Sequence, residues 1–280
     1  MSKNIHYFAK HEEYLNYEKK AVTPHVSYTE QDDLVRYNQN LDLTKQPLTF
    51  EFIEDGIFYY NRTYVYYYYY YIYCKFTHIR DGVIINTVNT QNAYSFNVQE
   101  GDIITVEYSS SYDSTTAFYE STYYYYRFSS TAYCYVYGNI MSLDPSGLDS
   151  TTISRSSMFR NLFNGFSKLL SHPAKKLYLP ATTLKTYCYY YMFNNCTGLT
   201  TAPELPATTL VSNCYYGMFY GCSSLNEVKA AFITVPSETI TVWLQGVSSS
   251  GVFYKNNLAT WTNTGPSGVP TGWIVKRYIV

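Results

Sequence analysis

Leu179-Pro180-Ala181-Thr182-Thr183-Leu184 returns as Leu205-Pro206-Ala207-Thr208-Thr209-Leu210, a spacing of 26 residues (205 minus 179). The match continues downstream. Cys188-Tyr189-Tyr190-Tyr191-Met192-Phe193 aligns with Cys214-Tyr215-Tyr216-Gly217-Met218-Phe219, and Cys196-Thr197-Gly198-Leu199 with Cys222-Ser223-Ser224-Leu225. A degenerate earlier copy, Leu162 to Leu169, lines up with Met192 to Leu199. A period of this size with Leu and Cys at fixed steps falls in the leucine-rich range of about 20–29 residues. Each unit leaves one apolar face open and the next unit closes it. Residues 159–230 are therefore predicted to stack. The imperfect first copy and a differently composed tail over 231–280, with Trp243, Trp261 and Trp273, read as caps.

Upstream of the repeats the pattern changes. Leu48-Thr49-Phe50-Glu51-Phe52-Ile53 alternates with a period of two and ends at Asp55-Gly56, a turn dipeptide. Asp81-Gly82 is a second turn signal. Tyr94-Ser95-Phe96-Asn97-Val98 alternates, and Glu100-Gly101-Asp102 turns into Ile103 to Tyr108. Short strands at such spacing predict a β-sandwich over residues 44–143. Residues 144–158, with Asp144-Pro145-Ser146-Gly147, read as a linker loop. Residues 1–43 hold much of the charge and are too short to carry a core. They are predicted to hold a short helical piece and extended segments that dock on a partner or on another copy of the chain.

Composition narrows the function. The 280 residues carry 20 Lys+Arg against 21 Asp+Glu, so the clustered positive charge that phosphate binding needs is missing. With 46% hydrophobic residues and near-zero net charge, the chain is not of the disordered class. No run of about 20 apolar residues is present, so no membrane insertion is expected. Tyrosine is in excess, 36 against 15 Phe and 3 Trp. Its flat ring, polar tip and two torsions suit a contact surface more than a reactive centre.

The sharpest lead lies in two tyrosine runs. Tyr64 through Tyr73 reads Tyr-Val-Tyr-Tyr-Tyr-Tyr-Tyr-Tyr-Ile-Tyr, and Tyr123-Tyr124-Tyr125-Tyr126 repeats the theme. A strand alternates its side chains, so one face packs inward while the other meets solvent, a neighbouring chain or a ligand. About half of these rings are assigned to aromatic core and cross-strand pairing. The rest are assigned to a contact surface, with Tyr66, Tyr67, Tyr68, Tyr69, Tyr70, Tyr71, Tyr123, Tyr124, Tyr125 and Tyr126 as the candidate ligand-binding residues.

Reactive centres are not expected. The close cysteine pairs, Cys188/Cys196 and Cys214/Cys222, are separated by seven residues instead of the two to four of zinc sites, and no His lies near them. Phe166 stands where Cys196 and Cys222 stand, which marks a packing position. Core packing is the first reading, disulfide the second and metal the last; Cys74 and Cys134 could pair with each other. His6, His11, His25, His78 and His172 show no metal spacing. Glycan cleavage needs two carboxylates about one sugar bond. Glu204 and Glu227 are 23 apart and so not repeat-equivalent, Glu238 stands alone, and the acids of 44–143 sit mostly beside turn residues. Asn61-Arg62-Thr63 and Asn195-Cys196-Thr197 fit the glycosylation sequon, as chance matches.

The Leu-Pro-Ala-Thr-Thr-Leu and Cys-Tyr-Tyr-x-Met-Phe-x-x-Cys runs, with Leu199-Thr200-Thr201-Ala202-Pro203-Glu204-Leu205-Pro206, resemble the BspA-type leucine-rich repeats of Bacteroidetes surface proteins and of the phages that infect those bacteria. Phe96 to Asp102 and Val136 to Leu143 resemble the β-domain that precedes such repeats. Trp243 to Val247 and Gly268 to Trp273 resemble their C-terminal cap. The resemblance spans roughly residues 94–275 and implies a surface adhesin without catalytic residues. Cellular members carry an export signal; no apolar run with a cleavage site opens this chain. A virion protein, released by lysis, is therefore expected, with a bacterial cell-surface adhesin as the alternative. Pro24-His25-Val26-Ser27-Tyr28 also resembles short N-terminal segments of structural proteins of Bacteroides phages.

The combined expectation is a mainly β chain with some α: an Ig-like β-sandwich domain, then a short leucine-rich-repeat solenoid with a C-terminal cap. It is read as a non-enzymatic receptor-binding protein that needs no cofactor and no metal. Its expected partners are a host cell-surface glycan or protein, other virion proteins through residues 1–43, and further copies of itself, as in a trimer. The rival reading is a fibre or decoration protein with its tyrosines buried between subunits.

Overall fold

A computed structural model of the chain describes residues 42–63, 74–109 and 125–279. Nearly all of the N-terminal segment 1–43 lies outside these residues, its helical piece included.

Alternation sets the first half. β1 (Leu48–Phe52), β2 (Gly56–Thr63), β3 (Cys74–Arg80), β4 (Val83–Thr90), β5 (Tyr94–Val98), β6 (Ile103–Tyr108), β7 (Tyr125–Ser130) and β8 (Cys134–Asn139) are strands. Cys74, Phe76 and His78 of β3 point inward, as do Ile104 and Val106 of β6. β8, β1, β6, β3 and β4 lie side by side in that order, and β5, β2 and β7 form a second sheet. The two sheets meet ring on ring. Phe50 is 4.7 Å from Phe58 and 5.2 Å from Phe128 between centroids, and Phe76 is 5.4 Å from Phe96.

One buried polar group pins this layer. Asp102, wholly buried, accepts from Arg80 Nε at 2.8 Å and Nη2 at 2.7 Å, and from His78 Nε2 and the Gln99 N–H, each at 2.8 Å. Burial pushes this carboxyl up, but the bonds from Arg80, Gln99 and His78 outweigh it and hold it below the usual carboxylate range.

The sheet does not end at the first half. β9 (Leu169–Ser171) and β10 (Leu177–Tyr178) both pair parallel with β8. Phe50 and Phe128 touch Phe163, at 6.1 and 6.0 Å, so one core runs on into the repeats. Thr152 and Ile153, within the stretch read as a linker, already bond to Thr183 of the next copy, and Ile153 is buried. The reason is elementary: Ile153 and Met158 are apolar and have a neighbouring copy to pack on.

The repeats stack by a hydrogen-bond ladder. N–H groups of Phe159, Asn161, Phe163 and Gly165 reach carbonyls of Cys188, Tyr190, Met192 and Asn194. Those of Tyr189, Tyr191, Phe193 and Asn195 reach Cys214, Tyr216, Met218 and Tyr220. Rings form columns through the stack: Phe163, Phe193 and Phe219, at 5.1 and 5.4 Å, and Phe159, Tyr189, Tyr215 and Trp243, at 5.6, 5.8 and 6.5 Å. At the far end β11 (Glu227–Ala230), β12 (Val252–Asn256) and β13 (Ile274–Tyr278) make a parallel sheet. Trp243, Trp261 and Trp273 are buried there, and each indole N–H donates to a backbone carbonyl: Gly268, Phe232 and Ser248.

The chain is mainly β. The expected α content is absent from the described residues, where the only helical pieces are 3-10 turns at Ile140–Leu143 and Gly265–Ser267. In place of a helix, each copy runs as consecutive four-residue turns. Every fourth residue takes a positive φ: Tyr187 (58°), Tyr191 (49°) and Asn195 (56°), then Asn213 (55°), Gly217 (57°) and Gly221 (72°). An α-helix spends its N–H groups on its own chain; here half are spent on the next copy instead.

The ring column carries a testable cost. Tyr189 and Tyr215 are fully interior, and neither hydroxyl has a partner among the described residues. A buried unpaired hydroxyl costs about 1–3 kcal/mol. Phe159 fills the same column without one. Tyr189→Phe and Tyr215→Phe should each raise stability by about 1 kcal/mol. Urea melts read this as a midpoint moved upward at unchanged slope; a drop would show that the hydroxyls are satisfied.

Candidate functional site: a tyrosine ledge on the repeats

The four-residue period decides which tyrosines reach the surface. Two residues of each turn point in and at least one of the following pair points out. Cys188 and Tyr189 are buried, Tyr190 and Tyr191 are half-buried, and Met192 and Phe193 are buried again. The next copy repeats this with Tyr216 and Tyr220 outward.

These rings touch one another. Tyr190 and Tyr216 stack at 5.0 Å with planes 18° apart. Tyr191 meets Tyr216 edge-on at 5.5 Å and Tyr220 at 6.4 Å, and Tyr187 meets Tyr190 at 5.4 Å. From the preceding copy the Arg160 guanidinium lies over Tyr190, 4.5 Å from its centroid. Ring faces are thus used on neighbours, and edges and hydroxyls are what the ledge offers outward.

Gly217 makes room for it. It occupies the repeat position of Tyr191, and a Cβ there would sit 2.3 Å from the Tyr191 ring. Tyr191 itself holds a positive φ of 49°, a conformation costing a non-glycine residue about 1–2 kcal/mol. Burial, partly offset for Tyr190 by Arg160, raises the pKa of Tyr190; burial and the other phenols raise that of Tyr191. Both therefore stay protonated donors at neutral pH.

Of the tyrosines singled out from the sequence, Tyr66, Tyr67, Tyr68, Tyr69, Tyr70, Tyr71, Tyr123 and Tyr124 lie outside the described residues. Tyr125 opens β7. Tyr126 is interior, 6% exposed and stacked on Tyr60 at 5.3 Å. The strand ends that flank the two connections pair with one another: Thr63 with Tyr125, and Cys74 with Tyr108. The β2–β3 and β6–β7 connections that carry the runs therefore leave from the same end of the two sheets.

The ledge itself was not singled out from the sequence. The signal was there: Asn161 and Gly165, Asn195, then Asn213, Gly217 and Gly221 mark the positive-φ positions at steps of four.

Other groups take structural places. All six cysteines are free and buried, so Cys74 and Cys134 are not bridged. Burial pushes their thiols up, Cys74 to about 12. Cys196 and Cys222 donate to the carbonyls of Phe163 and Phe193, in the packing column that Phe166 begins. Glu51 accepts from Lys175 Nζ at 2.8 Å, with His172 3.9 Å away. His172 Nδ1 accepts the N–H groups of Ala174 and Lys175, which leaves it no proton on that side. Burial and the Lys175 ammonium push His172 down to about 4, against the pull of Glu51. Among the described residues no group of three or more His, Cys, Asp or Glu could hold a metal ion, and no helix is long and apolar enough to cross a membrane.

Comparison of the chain with protein-family models, with curated proteins and with solved structures found no match.

Proposed function

We propose that this protein is a non-enzymatic adhesion protein that recognises a bacterial host surface through tyrosines held on a rigid stack. The observation that carries the reading is the ledge of Tyr187, Tyr190, Tyr191, Tyr216 and Tyr220, ring against ring across two copies. Rings pre-packed on neighbours lose little freedom on binding, and their hydroxyls supply directional bonds. The pairing of the strand ends that flank both tyrosine-run connections supports a second aromatic surface at one end of the sheets. The finer fold belongs to the same proposal: an Ig-like sandwich leading into a short BspA-type leucine-rich-repeat solenoid with a tryptophan-rich cap. The inter-copy ladder and the aligned ring columns support it. Attachment to a phage virion through residues 1–43, with the bacterial cell surface as the alternative, rests on the sequence resemblance.

Adsorption of the labelled full chain to Bacteroidetes cells tests the reading. Tyr190→Ser with Tyr216→Ser, or Ser at Tyr66 through Tyr71, should lower cell binding at least about tenfold, the scale of one or two lost aromatic anchors. Unchanged binding in both variants would sink the proposal.

One feature favours the rival, structural reading. β4 is a sheet edge whose Val83 and Ile84 are 62% and 61% exposed, without a charged residue along the strand. Such an edge invites pairing between copies. A stable trimer in solution, lost on Ile84→Lys, would support that reading.

A further inference from the structure

A groove of about 520 Å³ opens over the parallel strands, on residues that neither the ledge nor the tyrosine runs use. It is of the size that small-molecule sites have, about 300–1,000 Å³. Its wall is built by strand register. Lys229 pairs with Tyr254, and Tyr254 with Lys276 on the next strand. Glu204 ties the residue before β10 to β11, accepting from Lys176 at 3.2 Å and lying 2.9 Å from Lys229 Nζ. Tyr254 and Tyr278 are half-buried and line the same groove, with Lys229 Nζ 4.8 Å from the Tyr278 centroid.

Together with the carboxylate behind it, the charge of this lining balances. Lys175, Lys176 and Lys229 face the groove with Glu204 and Glu227, and Glu51 bonds Lys175 from behind. Three cations meet three anions, so a charged ligand gains nothing net. The polar capacity is not used up. A carboxylate accepts about four hydrogen bonds and an ammonium donates three. Glu204 takes one lysine on each oxygen, which leaves acceptor and donor sites side by side. Adjacent acceptors and donors match neighbouring hydroxyls on one molecule, and two rings at the same wall match a C–H face.

We propose that this groove binds one or two residues of an uncharged saccharide, with Glu204, Lys176 and Lys229 on its hydroxyls and Tyr254 and Tyr278 against its ring. The inference deepens the adhesion reading by giving it a glycan site, but it stands on different residues from the ledge.

Saturation-transfer NMR on the full chain tests it, with glucose, galactose, mannose, rhamnose, fucose and N-acetylglucosamine as probes and glucuronate as the charged control. At least one neutral sugar should take up saturation, with glucuronate silent. Tyr278→Ala and Glu204→Gln should each weaken binding at least tenfold, while Asp149→Asn, on the surface outside the groove, leaves it unchanged. Because Tyr278→Ala shortens an edge strand's packing, Glu204→Gln, which keeps the volume, serves as the second variant. No neutral sugar binding, a preference for glucuronate, or binding indifferent to both groove variants would each overturn the proposal. Loss of the sugar signal in both Glu204→Gln and Tyr278→Ala, with Asp149→Asn unaffected, would support the groove. Sugar silence with adsorption intact would overturn the groove alone and leave the adhesion reading standing.

Discussion

Gly138→Ala should destabilise the chain by about 4 kcal/mol, close to the whole stability of a marginal domain. Gly138 sits in β8 with φ at +87°, a value that costs a residue with a Cβ about 1–3 kcal/mol. A Cβ there would also lie 2.1 Å from the Pro47 carbonyl oxygen. That oxygen is backbone and cannot swing aside. The two sides of Gly138 are both engaged: its N–H donates to Lys176 and its neighbour Asn139 donates its N–H to Gln46, at 3.0 and 2.8 Å. Relief by backbone shift costs a further 1–3 kcal/mol or so, as overpacking does. The damage falls where the entering chain, β8 and β10 meet, so both halves of the core should feel it. Urea unfolding followed by tryptophan fluorescence should show one transition at a much lower midpoint, since all three tryptophans report from the far end. An unmoved midpoint at these far-end tryptophans would show that the halves unfold independently.

Asp102→Asn is the second large effect. The amide keeps the volume but turns one acceptor oxygen into a donor, facing Arg80, His78 or Gln99 donors that the carboxylate satisfied. Breaking a buried charged network costs about 3 kcal/mol or more; because Arg80 is itself 31% exposed, the lower end is expected. The pH dependence carries a sign. The folded carboxyl is held below its ordinary value, so its contribution is fully present above about pH 4 and is lost as pH falls through the folded value. The wild type should thus lose stability on acidification in a step that Asp102→Asn lacks. Asp149, paired with Lys45 on the surface, is the control, and Asp149→Asn should leave the acid limb unchanged. An acid limb identical in wild type and Asp102→Asn would show that the network does not stabilise the fold.

Much of the architecture was legible as periodicity. Period two marked β1, β5 and β6, because a half-buried strand must alternate. The repeat at 26 residues marked the stack, because Leu179, Ala181 and Leu184 recur as Leu205, Ala207 and Leu210 and all six are buried. Phe166 in line with Cys196 and Cys222 marked a packing column, and all three are interior. The turn period of four within each copy was also written, as Asn and Gly at Asn213, Gly217 and Gly221, but it is masked by Tyr187 and Tyr191 at the same places.

Pattern alone determined which residues are apolar, which recur, and where strands alternate, since these are properties of neighbours along the chain. Only the tertiary structure decided that Ile153 belongs to the stack, that one sheet runs unbroken from β1 through β8 into β9 and β10, and that Tyr189 is inside while Tyr190 is outside. Only it brought Lys176, Glu204 and Lys229 together from three separate stretches of the chain. The physical reason is that hydrogen bonds between copies join residues more than 20 apart, and no local preference encodes which distant carbonyl an N–H will meet.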